Sequence, residues 1–149
     1  MVGMSEGTVF AGGPREIMVS ADHLNWYHWS CPLSEVVGLH VDDGLLVVVG
    51  DDQLAVSEVR HKGKLWQVVE VEGATCVHIA RRVFVGTSDG RMFEFEIKRK
   101  RGLLARFSTV SPAIVPAGEW KLASPLSATA YHGDGYTADN LVGQNAGDR

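Results

Sequence analysis

The chain has 149 residues and a mass of 16.2 kDa, room for one domain of modest size. Fourteen Lys and Arg against 18 Asp and Glu leave a net charge of −4, without the basic surplus of a dedicated nucleic-acid binder. An apolar content of 45% excludes wholesale disorder, and the longest aliphatic run, Leu45–Val49, is five residues, far short of the roughly 20 that span a bilayer.

Cys31 and Cys76 are the two cysteines, too few for a disulfide framework. The amino terminus has no basic-then-apolar leader pattern, and Val2 stands where myristoylation needs glycine. Together these features predict a reducing, intracellular compartment.

In chain order, Thr8–Gly12 reads as a strand and Ile17–Trp26 as part of a first unit. Val19, Asp22, Leu24 and Trp26 overlay Val49, Asp52, Leu54 and Val56 at a spacing of 30. That is short for a four-stranded unit, with Cys31-Pro32-Leu33-Ser34 where an outer strand would run.

The middle of the chain is clearer. Val36–Val41, Leu45–Val49, Leu54–Val59 and Leu65–Val69 read as four strands, separated by Asp42-Asp43-Gly44, Gly50-Asp51-Asp52 and His61-Lys62-Gly63-Lys64. The order then recurs in Cys76–Ile79, Val83–Gly86, Met92–Ile97 and Leu103–Phe107. His40 overlays His78 and Val59 overlays Ile97, each at 38 residues, while Val49-Gly50 overlays Val85-Gly86 at 36. A four-stranded unit recurring at about 40 residues is the signature of propeller blades.

Beyond Val110 the pattern breaks at Pro112, Pro116 and Pro125, and no segment has the 3.6-residue apolar period of a helix. The expected fold is all-β, a partial β-propeller with two clear blades and flanking partial ones. It covers residues 1–122, followed over 123–149 by a Gly/Ala/Ser-rich tail or an incomplete further blade. A closed ring needs at least about four blades. The chain is therefore expected to be a piece of a larger protein or to complete its ring with another chain. The third option is an open, three-bladed curved sheet whose exposed edges invite edge-to-edge association.

Candidate chemistry is sparse. The six histidines show no metal-ligand spacing, and His40 and His78, being repeat-equivalent, are expected to be structural, with Ser88 and Asp89 as partners for a hydrogen-bond network. The Asp-rich segments lack the spacing of a calcium loop and read as tight turns. No nucleophile motif or phosphate-binding loop is present. Neither enzymatic activity, metal nor cofactor is expected.

Two features remain as candidate binding surface. Trp26, Tyr27 and Trp29 form an aromatic cluster; if the segment is a strand, alternation sends Tyr27 and Trp29 to one face and Trp26 and His28 to the other, leaving one pair as the candidate exposed face. Lys98, Arg99, Lys100 and Arg101 form a basic block, within a segment 81–106 that holds eight basic and three acidic residues. Residues 32–72 hold eight acidic and three basic ones. The block reads as a localisation signal or anion-facing patch, or as a solvated hairpin tip that deters edge pairing.

Several of these segments carry a resemblance: Asp22-His23-Leu24-Asn25-Trp26-Tyr27, Val36-Val37-Gly38-Leu39 ahead of Leu45–Val49, the stretch Arg82–Phe95, and Val115-Pro116. In order and spacing they resemble the amino-terminal β-propeller of the large scaffold nucleoporins of the nuclear pore's inner ring. The hairpin with Asp89-Gly90 also resembles WD40 and vesicle-tethering propellers. The resemblance implies a non-catalytic protein–protein scaffold at the nuclear pore, whose partners are other proteins of a large assembly. The alternative is a WD40-type adaptor in trafficking or another complex. The family's helical solenoid and its membrane-sensing amphipathic segment are not visible, so direct membrane contact is not expected, nor is a specific nucleic acid.

Overall fold

A computed structural model describes residues 1–99 and 112–121. They form an all-β structure of three four-stranded antiparallel sheets, each a simple meander. Sheet 1 contains β1 (Val2–Ser5), β2 (Thr8–Gly13), β3 (Glu16–Ser20) and β4 (Tyr27–Ser30). Sheet 2 contains β5 (Gly38–Asp42), β6 (Leu45–Gly50), β7 (Gln53–Glu58) and β8 (Gln67–Glu70). Sheet 3 contains β9 (Ala74–Ile79), β10 (Val83–Thr87), β11 (Arg91–Lys98) and β12 (Ala113–Lys121). The only helical turn among the described residues is the 3-10 turn Val59–His61 after β7.

The sheets stack face to face, with first strand beside first strand: β5 runs between β1 and β9. Sheet 2 is covered on both sides. Leu39, Val41, Leu46, Val48 and Ala55 meet Phe10, Ile17 and Val19 of sheet 1. On the opposite face, Leu45, Val47, Val49, Leu54 and Val56 meet Ile79, Val83, Val85 and Phe95 of sheet 3. This is why β6 is aliphatic at five consecutive positions rather than alternating: a strand buried on both faces has no solvent side to make polar.

Tight turns keep the meanders short. Asp43 and Gly44 have φ of 50° and 71°, and Asp51 and Asp52 of 53° and 57°, as a two-residue hairpin turn demands at both central positions. The Asp51 carboxylate also accepts hydrogen bonds from the Ser34 N–H and hydroxyl, and Asp52 accepts one from the Gly73 N–H. Both carboxylates are thus occupied in holding the segments that lead from one sheet to the next.

Strand pairing defines the repeat. Phe10, Val47 and Phe84 are the cross-strand partners of Gly3, His40 and His78 and succeed one another at 37 residues. Two sequence expectations are corrected on this basis. Val19 lies on the third strand of its sheet and Val49 on the second of the next, so the spacing of 30 was an overlay of unlike strands. Ser20 and Ser57, both fully buried, are the matching ends of β3 and β7. The second strand of sheet 3 likewise repeats at 37 rather than 36: seven positions lead from His40 to its partner Val47, but six from His78 to Phe84.

The first unit is a complete four-stranded sheet. Its outer strand is Tyr27–Ser30, while Cys31–Ser34 belongs to the connection to sheet 2, with Leu33 fully buried beneath it. Pro116 does not end the β pattern. It sits in β12, at the sheet edge, beside a register shift that leaves Ala117 unpaired, and an edge strand at a bulge tolerates a missing N–H. The expected strand Leu103–Phe107, and residues 123–149, lie outside the described residues.

Two substitutions test this packing. Leu46→Ala in the first core should cost about 2–5 kcal/mol of unfolding free energy in urea titration. Gly50→Ala places a Cβ 1.9 Å from the Glu35 carbonyl oxygen, a backbone clash that should cost roughly 1–3 kcal/mol.

Candidate functional site

The connections between third and fourth strands collect the sequence-predicted residues. Ala21–Trp26 joins β3 to β4, Val59–Trp66 joins β7 to β8, and residues 99–112 join β11 to β12. In sheets 1 and 2 this connection lies at the same end as the turn between first and second strands. Where sheet 2 turns, the Val59 N–H donates to the Gly44 carbonyl at 2.9 Å.

The first connection is braced by Asp22. Its carboxylate accepts from the Leu24 N–H at 2.9 Å, the Asn25 N–H at 2.8 Å, the Asn25 side-chain amide at 2.7 Å and the Ser20 hydroxyl at 3.2 Å. These donors, the Asn25 backbone foremost, hold its carboxyl well below the usual carboxylate range. His23 takes a φ of 66° and its Nε2 lies 3.1 Å from the Gly7 carbonyl. The outcome is a turn that projects apolar groups into solvent: Leu24 is 83% exposed, Tyr27 66% and Trp26 42%.

Trp29 behaves differently. It points toward sheet 2 and meets Phe10 edge-on, with centroids 5.9 Å apart and planes at 70°. Leu24, absent from the sequence-predicted set, is the most exposed large apolar side chain described. Its signal was the Asp-x-x-Asn spacing, an Asx-type turn that leaves the residues inside it outward.

Lys98 and Arg99, the described part of the basic block, lie at the end of β11 in sheet 3, with sheet 2 between them and the aromatics. Lys98 is exposed at the end of β11. Arg99 is engaged: its Nη2 donates to the Asp43 carbonyl at 2.7 Å and to the Asp43 carboxylate at 2.8 Å. It thereby ties sheet 3 to the β5–β6 turn, and its side chain is only 11% exposed. Lys100 and Arg101 lie outside the described residues.

The repeat-equivalent histidines meet between sheets 2 and 3. Their rings stack at 4.5 Å and 25°, and His40 Nδ1 accepts the Ile79 N–H at 2.7 Å. The network expected with Ser88 and Asp89 is not formed. Asp89 instead accepts from the Arg91 guanidinium and the Thr87 hydroxyl, and these, Arg91 foremost, pull its carboxyl down to about 2. Among the described residues no group of three or more His, Cys, Asp or Glu is arranged to hold a metal ion.

Burial, and then the neighbouring His78, push the His40 imidazole below its ordinary value of 6.5, with Asp42 opposing. A base depressed in the fold takes up its proton more readily when unfolded. Its stabilisation is complete above about pH 6.5 and is lost as pH falls through the lower folded value. Urea midpoints measured from roughly pH 7 to 5 should therefore fall, more steeply in the wild type than in His40→Gln. An unchanged slope in His40→Gln would assign the loss to other groups.

The sequence matches no protein-family model and no curated protein.

Proposed function

We propose that this chain is a non-catalytic protein–protein interaction scaffold, built as part of a β-propeller. The observation that carries the reading is the exposure of Leu24 and Trp26 on a turn cross-braced by Asp22, and of Tyr27 where that turn enters β4. Apolar side chains held rigidly in solvent lose little entropy on binding, and aromatic anchors of this kind dominate protein interfaces.

Three features support the propeller reading. The meanders repeat at 37 residues, their first strands lie side by side, and they pack face to face. The outer faces of the stack carry Val2 and Met4 on sheet 1 and Phe84, Met92 and Trp120 on sheet 3. Further sheets of the same kind, from a longer chain or another one, would cover them.

The specific form we propose is a structural component of the nuclear pore, at the nuclear envelope, on the resemblance carried by Asp22–Tyr27, Val36–Leu39 and Arg82–Phe95. The same Asp89-Gly90 hairpin supports the second reading, a WD40-type adaptor in trafficking or another complex. Either way the proposed activity is binding; the Asp22, Asp51, Asp52 and Asp89 carboxylates of the described turns are engaged in structural hydrogen bonds.

Proximity labelling in native cells tests this, comparing the wild type with Leu24→Ala/Trp26→Ala/Tyr27→Ala. The wild type should enrich nuclear-envelope proteins, and the triple variant should lose them while its thermal midpoint stays close to wild type, since none of the three is buried. Enrichment of trafficking complexes would replace the nuclear-pore reading by the adaptor. A partner set unaffected by the triple variant would refute the patch.

A further inference from the structure

Among the described residues, a cleft lies between each pair of successive sheets at the end where the candidate residues collect. The first, about 370 Å³, is bounded by Ser5, Glu6 and Thr8 of the β1–β2 turn and by Val59, Arg60 and Lys62. The second, about 580 Å³, is bounded by Asp42, Asp43 and Leu45 of the β5–β6 turn and by Ile97, Lys98 and Arg99. Ser5, Glu6 and Thr8 precede Asp42, Asp43 and Leu45 by 37 residues, and Val59 and Arg60 precede Ile97 and Lys98 by 38. The clefts are one feature of the repeat, occurring twice.

Their linings have diverged. In the second cleft Arg99 reaches across to Asp43, and Arg81, Arg82 and Glu96 add charge of both signs around it. In the first, the floor is apolar: Phe10, Val19 and Val41 are buried there, and Trp29 and Val59 form the sides. Charge is confined to the rim, where Arg60 and Lys62 outnumber Glu6.

The two rim cations are held differently. Arg60 pairs with Glu58 at 3.1 Å. Lys62 is exposed and makes no ion pair among the described residues. Its backbone, at φ 53°, is pinned by an N–H bond of 3.0 Å to the Val59 carbonyl, so its ammonium is tethered to a fixed point beside the slot. An apolar slot under a cationic lip selects an apolar group that brings negative charge to the Lys62 side, while Glu6 opposite repels a longer acidic run.

We infer that the cleft between sheets 1 and 2 is a docking site for a linear peptide, one that seats a large apolar side chain on Phe10 and Val41 and sets an acidic neighbour against Lys62. This deepens the scaffold reading and rests on it, naming a second contact beside the Leu24–Tyr27 turn and the chemistry of its partner. The sister cleft, strapped by Arg99, is not such a site.

The test titrates the full chain into a fluorescein-labelled peptide, Asp-Glu-Leu-Phe-Gly-Ser, read by anisotropy. One control peptide carries Lys in place of both acids, and another carries Ser in place of Leu-Phe. Only the first peptide should bind. Lys62→Glu should weaken its binding, and Glu6→Lys should strengthen it, each by roughly three- to tenfold, the scale of reversing one rim charge. Lys98→Glu in the sister cleft should leave it unchanged, and thermal melts establish that each variant is folded. Amide shifts should fall on Val59–Lys62 and the Trp29 indole. The inference is overturned if the peptide fails to bind, if the Lys counterpart binds equally, or if Lys98→Glu acts as strongly as Lys62→Glu. Loss of binding on replacing Leu24, Trp26 and Tyr27, with Lys62→Glu silent, overturns it too but leaves the scaffold reading standing.

Discussion

Everything in this structure depends on the stacking of sheet on sheet through a middle layer that has no solvent face. β6 is buried along its whole length, and β7 at every position but the first. A two-faced layer gains from apolar burial on both sides, so sheet 2 organises the other two around itself. Small residues let the first strands approach. A Cβ on Gly3 would stand 2.5 Å from Leu39 Cδ2, and one on Gly38 would stand 3.2 Å from the Cys76 Cα. The repeat therefore stores two kinds of information, large groups across the sheet faces and small ones where the inner strands converge.

Equivalent positions have been put to unequal uses. The rung occupied by Gly3 in sheet 1 carries His40 and His78 in sheets 2 and 3, where the imidazoles join the sheets by stacking and by a bond to the Ile79 N–H. The third connection of each sheet diverges further. In sheet 1 it is an Asx-type turn that exposes Leu24, and in sheet 2 a 3-10 turn that sets Lys62 beside a cleft. In sheet 3 it opens with an arginine spent on an ion pair. Such divergence is inexpensive at strand ends, where a change of side chain leaves the ladder and the core intact.

Much of sheet 2 was legible because its signals are local. An unbroken aliphatic run between two Asp-containing turns admits few readings, and the turns proved to be hairpin turns with positive φ at both centres. Sheet 1 was harder. Its outer strand, Tyr27–Ser30, is short, largely exposed and polar or aromatic, so it lacks the alternation that marks a half-buried strand. Pro116 was misleading for a related reason: proline signals a break only where its N–H would have been bonded, and an edge strand beside a bulge escapes that condition. Leu24 went unnoticed because a leucine between Asp and Trp reads as core, unless the Asx-type turn that turns it outward is recognised.

The amino-acid order, taken alone, specifies most of the strands, the tight turns and a repeat of about 40 residues, because each depends on backbone preferences and alternation within a few neighbours. It does not say which of the aromatics at 26, 27 and 29 is buried, or which of the cations from Lys98 onward is already spent. Those outcomes hang on encounters between distant positions, Phe10 with Trp29 and Arg99 with Asp43, 56 residues apart in the chain. Contacts of that range leave no periodic trace. They arise when three similar sheets stack, and the stacking turns a run of recurring strands into an exposed apolar turn, a strapped cleft and an open one.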